Sequence, residues 1–238
     1  MAGASADRSD SVTMQWSDAV RFIRQLSHDL RNYLNAVELQ STYIAELTPD
    51  AALKDEIRRL REMISRLTSV LQKLSRDLGQ VDANLIAYTA TDFVEDLRKR
   101  IDREFPEKRD QIAWNLERGN ATLSIDPELL QEAFVELFEN AFEHDRGKGP
   151  LVLATKSDKA CFVFTLQEPK TRFDVPTENW GCKPLQNVTA GHYGLGLHRV
   201  RVIVEGNRGE MYARYDPKLS SLVTTIVLPI FQSSSSGA

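Results

Sequence analysis

The chain has 238 residues, of which 42% are hydrophobic and 27% are charged, and its formal net charge is −4. This apolar fraction is sufficient for packed cores and excludes a disordered or fibrous protein. The slightly acidic balance, without a block of basic residues, argues against a nucleic-acid-binding protein.

Several features favour a cytoplasmic protein. Two cysteines, Cys161 and Cys182, are too few for a disulfide framework or a zinc site and favour a reducing compartment. Met1–Asp10 is small and polar, so no signal peptide is expected. The most apolar late run, Leu222–Phe231, is too short to span a bilayer. We therefore expect no membrane span, and disordered ends at residues 1–15 and 232–238.

Residues 16–80 are predicted to form a helical hairpin. One heptad seam runs along Asp18–Leu47 and a second along the helix that follows, for which Thr48 is the expected N-cap and Pro49 the first residue. Two helices joined by so short a turn must pack antiparallel. Because one hairpin leaves its seams partly uncovered, we expect a dimeric four-helix bundle; a plain coiled-coil dimerisation element is the alternative. The predicted seam of the first helix comprises Ala19, Ile23, Leu26, Leu30, Tyr33, Val37, Gln40, Ile44 and Leu47.

His28 falls at heptad position f, which points away from the seam. An exposed imidazole is largely neutral near pH 7 and can act as a nucleophile. Asp29 follows it directly and is placed to hold the ring or take its proton. An ordinary surface histidine is the alternative interpretation. The solvent positions beside His28 are predicted to be Arg24, Gln25, Arg31, Asn32 and Asn35.

From about Asn84 the hydrophobic period changes, and residues 81–231 are predicted to form an α/β domain. Strands are expected at Leu85–Tyr88, Ile112–Leu116, Ala121–Ile125, Leu151–Lys156, Cys161–Leu166, Glu210–Tyr215 and Ser221–Leu228. Helices are expected at Thr91–Phe105 with Thr91 as cap, from Asp126-Pro127 onward, and at His198–Glu205. Residues 118–120 are the expected turn between the second and third strands. This order predicts a sheet covered on one face by helices, a two-layer α+β sandwich.

Two features of this domain are typical of a phosphate site. Gly194 and Gly196 open the last helix, where backbone N–H groups favour a polyphosphate. Glu136 and Asn140 are one helical turn apart and therefore share a face. An amide oxygen suits Mg²⁺, and a carboxylate can act as a base. Glycine pairs are also common in loops, and an ordinary salt-bridging role is the alternative for the Glu-Asn pair.

Three motifs, taken in this order, resemble the boxes of sensor histidine kinases. Leu26–Asn32 (LSHDLRN) resembles the H box, Glu136–Ala141 (ELFENA) the N box, and Gly191–Leu197 (GHYGLGL) the G2 box. The resemblance covers roughly residues 18–230. It implies a dimeric histidine-phosphotransfer hairpin, followed by an ATP-binding α+β sandwich of the type shared with gyrase and heat-shock chaperone ATPases.

The resemblance also implies roles for single residues, with ATP and Mg²⁺ as cofactors and a response-regulator receiver domain as partner. His28 would be the phospho-acceptor, Asp29 the acid that activates it, and Asn140 the Mg²⁺ ligand. Glu136 stands where many members have Asn and some have Glu as a general base. Asp29 and Asn32 match the Asp-x-x-Asn pattern with which some members dephosphorylate their regulator. The implied nucleotide-binding residues are Asn140, His144, Glu168, Gly191, Gly194, Leu195, Gly196 and Leu197.

The chain departs from the family at the G1 box, Asp-x-Gly-x-Gly. The equivalent stretch, Leu166–Lys170, has no glycine, and Pro169 restricts its backbone. Glu168 is the candidate for the carboxylate that binds the adenine amino group. His144 replaces a basic residue of the N box. Tyr33 replaces a proline that is common after the H box, so the first helix should run without a kink.

These features leave three functions open. The first is a protein-histidine kinase that takes the phosphoryl group from ATP and passes it to a regulator aspartate. The second is a phosphotransfer and docking module whose second domain no longer uses ATP. The third is a structural coiled coil joined to an unrelated α/β domain. For the first two functions, the input signal is expected to come from a separate sensor protein or a small ligand.

Overall fold

The structure is a computed structural model that describes residues 15–117, 121–143, 146–158, 160–173, 176–185 and 193–231. The predicted disordered ends lie outside the described residues, apart from Gln15. The chain divides into two compact units, residues 1–79 and 80–238. No helix among the described residues is long and apolar enough to cross a membrane.

The first unit is a hairpin of two helices, α1 (Trp16–Leu47) and α2 (Ala51–Asp77). The expectation that Thr48 caps α2 is wrong. The N-cap is Asp50, whose carboxylate accepts hydrogen bonds from the backbone N–H groups of Ala52 and Leu53. An aspartate accepts these bonds at least as well as a threonine. Pro49 therefore precedes the helix rather than opening it.

The face of α1 that contacts α2 differs from the predicted seam. Ser27 and Ser41 are the buried residues of α1, and Ile57 and Ile64 are those of α2. Ser27 and Ser41 each lie one residue after a predicted seam position, which is a rotation of about 100° around the helix. The predicted seam is instead largely exposed within the chain. Its exposed members are Leu26, Leu30, Tyr33, Val37, Ile44 and Leu47.

Two of the residues expected in solvent lie in this helix-helix contact. Arg24 Nη2 donates to the carbonyl oxygen of Leu78 at 2.6 Å, and Arg31 Nη2 donates to Ser75 Oγ at 3.1 Å. Their placement on the solvent side is therefore wrong. Long cationic side chains can lie along a small residue such as Ser27 and carry their charge to polar groups of the partner helix.

The second unit holds the remaining helices and strands. The helices are α3 (Ala90–Glu104), α4 (Pro127–Glu143) and α5 (Gly196–Gly206), with a 3₁₀ turn at Pro106–Gln111. The strands are β1 (Ile86–Thr89), β2 (Ile112–Asn115), β3 (Thr122–Ile125), β4 (Leu151–Ser157), β5 (Cys161–Pro169), β6 (Glu210–Asp216) and β7 (Ser221–Pro229). The cap of α3 is Thr89, whose hydroxyl accepts from Asp92 N at 3.1 Å, and not the expected Thr91.

The strands form two sheets. The larger has the order β2-β4-β5-β7-β6, in which β2 pairs parallel to β4 and every other pair is antiparallel. The smaller joins β1 to β3 in antiparallel register. Although β2 and β3 follow one another in the chain, they lie in different sheets, so the segment expected as a turn at residues 118–120 connects the two sheets. That turn itself lies outside the described residues.

The core lies between the larger sheet and the three helices, as expected for a two-layer α+β sandwich. Alternate residues of β5 face it: Phe162, Phe164 and Leu166 are all buried in the cluster that α3, α4 and α5 complete. Phe164 packs against Phe93 of α3 and Phe134 of α4, with ring centroids 5.7 Å and 4.9 Å apart. The next two positions of this row are Glu168 and Lys170, so the row changes from apolar to charged at its end.

Candidate functional site

His28 lies on the outer side of α1, with 64% of its side chain exposed. The preceding residue, Ser27, faces α2, and one step along the helix rotates His28 by about 100° into solvent. Asp29 Oδ1 lies 3.3 Å from His28 Nδ1, and Asn32 Nδ2 lies 3.4 Å from the same nitrogen. The structure therefore brings together the three residues predicted here.

The contact with Asp29 favours one of the two ring nitrogens for chemistry. When Nδ1 carries the proton and donates it to Asp29, the lone pair of the neutral imidazole is on Nε2. A nearby carboxylate also stabilises the imidazolium that forms when Nε2 attacks an electrophile. His28 is thus suited to act as an exposed nucleophile through Nε2.

A second group of polar residues lies where α4 meets the start of α5. Asn140 Nδ2 lies 3.4 Å from Glu136 Oε1 on one face of α4. A Cβ added to Gly196 would overlap the Glu136 carboxylate. Glu136 therefore lies directly against the first residue of α5, where free backbone N–H groups favour negative charge. Arg199 and Glu132 join the same two helices by an ion pair of 3.2 Å.

The remaining residues of the predicted glycine turn have different roles. Gly194 has φ +63°, a conformation that favours glycine over other residues. Leu195 is buried, and Leu197 packs against the core cluster, so their side chains serve packing. Gly191 and His144, both assigned to the nucleotide site by the sequence, lie outside the described residues.

At the position of the G1 box, β5 continues as a strand. Glu168 and Pro169 pair with Leu222 and Ser221 of β7, and Lys170 N donates to Ser220 O at 2.8 Å. The pairing of β4 with β5 ends at Gln167. Pro169 fits in the strand because its missing N–H interrupts no hydrogen bonding to β4.

Glu168 and Lys170 form an ion pair inside the sandwich. Only 10% of the Glu168 side chain and 4% of the Lys170 side chain are exposed. Burial raises the pKa of the Glu168 carboxyl above its usual value, while the hydrogen bond from Lys170 and the charges of Lys170 and Arg146 oppose this rise. The carboxylate that the sequence assigns to adenine thus already has a cationic partner within the chain.

No protein-family model matches the chain, and no curated protein matches it. Solved structures do. The crystal structure of full-length ShkA in complex with AMPPNP is similar to this chain, with a TM-score of 0.69 and 17% identity. The match covers 90% of this chain and 47% of ShkA. The histidine kinase AdeS of Acinetobacter baumannii has a TM-score of 0.51 and 18% identity over 86% of this chain and 98% of its own. The nucleotide-free catalytic domain of the histidine kinase ThkA has a TM-score of 0.51 and 13% identity over 62% of this chain and 96% of its own.

The chain has the histidine-kinase fold. At these identities the likeness is one of architecture, and the chain spans about half the length of ShkA. The predicted hairpin followed by an ATPase-type α+β sandwich is confirmed by these matches. A shared fold does not carry over the roles of single residues.

Within the histidine-kinase fold, the middle of the long loop between β5 and α5 is fastened to α5 at Trp180 and Gly181. Arg201 donates to Trp180 O from both Nε and Nη2, at 2.9 Å and 2.7 Å, and to Met211 O at 3.0 Å. His198 Nδ1 lies 3.1 Å from Gly181 O. This segment is therefore held beside the helix that begins at the glycine turn.

The sequence analysis missed Lys170 as a residue of these sites, and it named Gln25 only as a solvent position beside His28, without its contact to Asp29. Lys170 continues the alternation of β5 two residues beyond Glu168, and this spacing would have identified it had the strand been extended through Pro169. Gln25 lies four residues before Asp29, a spacing that places two side chains in contact on a helix, and its Nε2 donates to Asp29 Oδ1 at 2.9 Å.

Proposed function

We propose that the chain is a protein-histidine kinase of a two-component system. It would take the γ-phosphoryl group of ATP onto His28 and pass it to an aspartate of a response-regulator receiver domain. The observation that carries the proposal is the exposed His28 imidazole with a carboxylate at Nδ1, in a chain with this fold. An ordinary surface histidine has no need of such a neighbour.

In the proposed first step, Nε2 of His28 attacks the γ-phosphorus of ATP. The N–P bond forms as the bond from phosphorus to the ADP oxygen breaks, and ADP leaves. Asp29 stabilises the imidazolium and accepts the Nδ1 proton. In the second step, a regulator aspartate oxygen attacks the same phosphorus and the N–P bond breaks. Asp29 returns the proton to Nδ1 as the bond breaks, so His28 leaves as the neutral imidazole.

The nucleotide end of the proposed site lies at α4 and α5. The Glu136 carboxylate lies beside Gly196, and the Asn140 amide lies next to Glu136 on the same face of α4. Carboxylate and amide oxygens are the kind of donors that Mg²⁺ uses together with phosphate oxygens. Bound Mg²⁺ would neutralise charge on the phosphates. Any side chain at position 196 would overlap Glu136 and displace it. Glycine at this position therefore preserves the arrangement.

A second candidate is a histidine phosphotransferase and docking module that does not use ATP. The buried Glu168–Lys170 ion pair favours it, because Lys170 already neutralises the carboxylate that the resemblance assigns to the adenine amino group. In this case His28 receives its phosphoryl group from a phosphorylated regulator instead of ATP. The hairpin chemistry is the same in both candidates.

Two measurements on the full chain separate these functions. Titration calorimetry with Mg²⁺ and ADP should give micromolar binding for the kinase; absence of binding up to millimolar ADP would favour the phosphotransferase. Incubation with radiolabelled ATP, or with a phosphorylated regulator, should label the wild-type chain and not His28→Ala. Label that persists on His28→Ala would refute both candidates. Lys156→Ala, at an exposed lysine of β4, is the control and should label as the wild type does.

The exposed apolar stripe of the hairpin supports a second copy of the chain as partner. On α2 it continues at Leu53, Leu60 and Leu67, each at least 40% exposed within one chain. A four-helix bundle of two hairpins would cover this surface. Size-exclusion chromatography with light scattering should give twice 26.9 kDa. A monomer at micromolar concentration would contradict it.

The regulator is expected to dock beside His28. On the same side of α1, Asn32 and Asn35 are exposed, and Leu39 is 74% exposed. Leu39→Ser should weaken phosphoryl transfer to a regulator without affecting the labelling of His28. Leu219→Ser, at a similarly exposed leucine of the second unit, should affect neither.

A reducing, cytoplasmic setting stays a prediction; both Cys161 and Cys182 are free thiols.

A further inference from the structure

Gln25, Asp29 and His28 form a relay of side-chain contacts on the exposed face of α1. Gln25 Nε2 donates to Asp29 Oδ1 at 2.9 Å, and the same oxygen lies 3.3 Å from His28 Nδ1. Neither the motifs nor the structural matches assign a role to Gln25. The relay nevertheless ends at His28 Nδ1. If Nδ1 donates, it carries the ring proton; if it accepts, Nε2 carries it.

Asp29 needs a second contact to stay at His28. Neighbouring residues of a helix point about 100° apart and do not normally face each other. The Asp29 carboxylate must therefore lean sideways to reach Nδ1, and because half of its side chain is exposed, little packing holds it there. Gln25, one turn earlier, supplies a donor on the side to which the carboxylate leans.

Asn32 competes for the same ring nitrogen. Its Nδ2 lies 3.4 Å from His28 Nδ1. A neutral imidazole nitrogen either donates or accepts, so Nδ1 cannot serve Asp29 and Asn32 at once. A contact with Asp29 places the proton on Nδ1 and frees Nε2, whereas a bond from Asn32 places the proton on Nε2 and removes the nucleophile.

We infer that Gln25 is a positioning residue for His28: by holding Asp29 at Nδ1, it favours the tautomer whose Nε2 is free to attack. This inference rests on the proposed use of His28 as a phospho-acceptor. A hydrogen bond to a carboxylate is stronger than one between neutral groups, so Asp29 prevails over Asn32 when it is held in place. An exposed pair spaced i, i+4 shifts such an equilibrium about twofold.

The test uses the full chain and a phosphoryl donor that does not depend on the nucleotide site. Phosphoramidate can phosphorylate an imidazole with loss of ammonia, and its initial rate on His28 reports the free Nε2. Nitrogen-15 NMR of the histidine rings at pH 8 gives the ratio of Nδ1–H to Nε2–H tautomers directly, with the His28 signals assigned from His28→Ala. Gln40→Ala, a glutamine further along α1, is the matched control.

Gln25→Ala is expected to shift the His28 ratio about twofold towards Nε2–H and to slow labelling by a similar factor. Gln40→Ala should change neither quantity, and Gln25→Ala combined with Asn32→Ala should restore both, because the competing donor is gone. An unchanged ratio in Gln25→Ala would overturn the inference, even if labelling slowed. A wild-type chain that takes no label from phosphoramidate or ATP would refute the proposed function, while the tautomer ratio would still decide the role of Gln25.

Discussion

Replacing Lys170 with methionine should strongly destabilise the second unit. The side chains of Lys170 and Glu168 are 4% and 10% exposed. The substitution keeps most of the aliphatic volume but leaves a buried carboxylate without its ion-pair partner. Breaking a buried pair in this way costs about 3–5 kcal/mol of the free energy of unfolding.

The loss should depend on pH in a definite direction. Burial raises the pKa of Glu168, so the folded state binds its proton more tightly than the unfolded chain does. Stability from such a group is fully present below the unfolded pKa and is lost as pH rises through the folded pKa. Removing Lys170 removes the main influence that opposes this rise. The variant should therefore be destabilised less at pH 5 than at pH 8, because a raised pKa makes it easier to neutralise the buried carboxylate at the lower pH.

Urea unfolding followed by tryptophan fluorescence at the two pH values measures this effect. The chain has 3 tryptophans, and a Trp16→Phe background leaves Trp114 and Trp180, both in the second unit. Lys156→Met, at an exposed lysine of β4, is the control and should cost little. Glu168→Gln combined with Lys170→Met should recover most of the loss. A loss below about 1 kcal/mol at pH 8, typical of exposed pairs, would refute the reasoning, as would equal losses at both pH values.

Three further substitutions test other parts of the structure. Asn32→Ala should spare phosphoryl transfer but slow dephosphorylation of the regulator; equal decay of phospho-regulator with both proteins would exclude this role. Gly181→Ala should lower the Tm by several degrees in a thermal melt, because Gly181 has φ +71° and a Cβ would lie 2.5 Å from Leu197 O; an unchanged Tm would contradict this. Asn207→Ala should cost about 1–3 kcal/mol in urea unfolding, since the buried amide accepts from Asp126 N and donates to a carbonyl of α5; a wild-type midpoint would argue against it.

The sequence predicted most helices and strands to within a few residues, but not their caps or partners. Asp50 and Thr89 cap α2 and α3, whereas Thr48 and Thr91 were expected. Several cap-forming residues follow one another at these places, and packing selects among them. The separation of β2 from β3 likewise depends on contacts distant in sequence, which periodicity does not encode.

The hairpin shows why a heptad pattern identifies a stripe but not what covers it. The apolar stripe through Leu26 and Tyr33 was predicted correctly as a stripe, yet α2 packs against the side of Ser27 and Ser41. Small residues allow two helices to approach closely, and they leave the larger apolar residues to face elsewhere. The outward position of His28 was still predicted correctly, because it lies away from both faces.

In the second unit, the resemblance to histidine kinases assigned Glu136 and Gly196 to one nucleotide site, whereas the spacing of the residues alone did not place them together. The ion pair of Glu168 was not predicted, because the expected strand ended at Leu166 and left Glu168 and Lys170 outside it. The structure keeps Pro169 within β5 by pairing it on one side only. A local rule about proline was therefore overridden by the position of the strand in the sheet.

The junction around Asp126 has a consequence for how quickly the two units fold. Its carboxylate accepts from Asn84 N, 42 residues away in sequence, and its backbone N–H donates to Asn207, 81 residues away. These contacts close long loops and can form only after most of the second unit has been assembled. The hairpin, by contrast, can close progressively from the short turn at Asp50. A newly made chain would therefore acquire its hairpin well before the sandwich is complete.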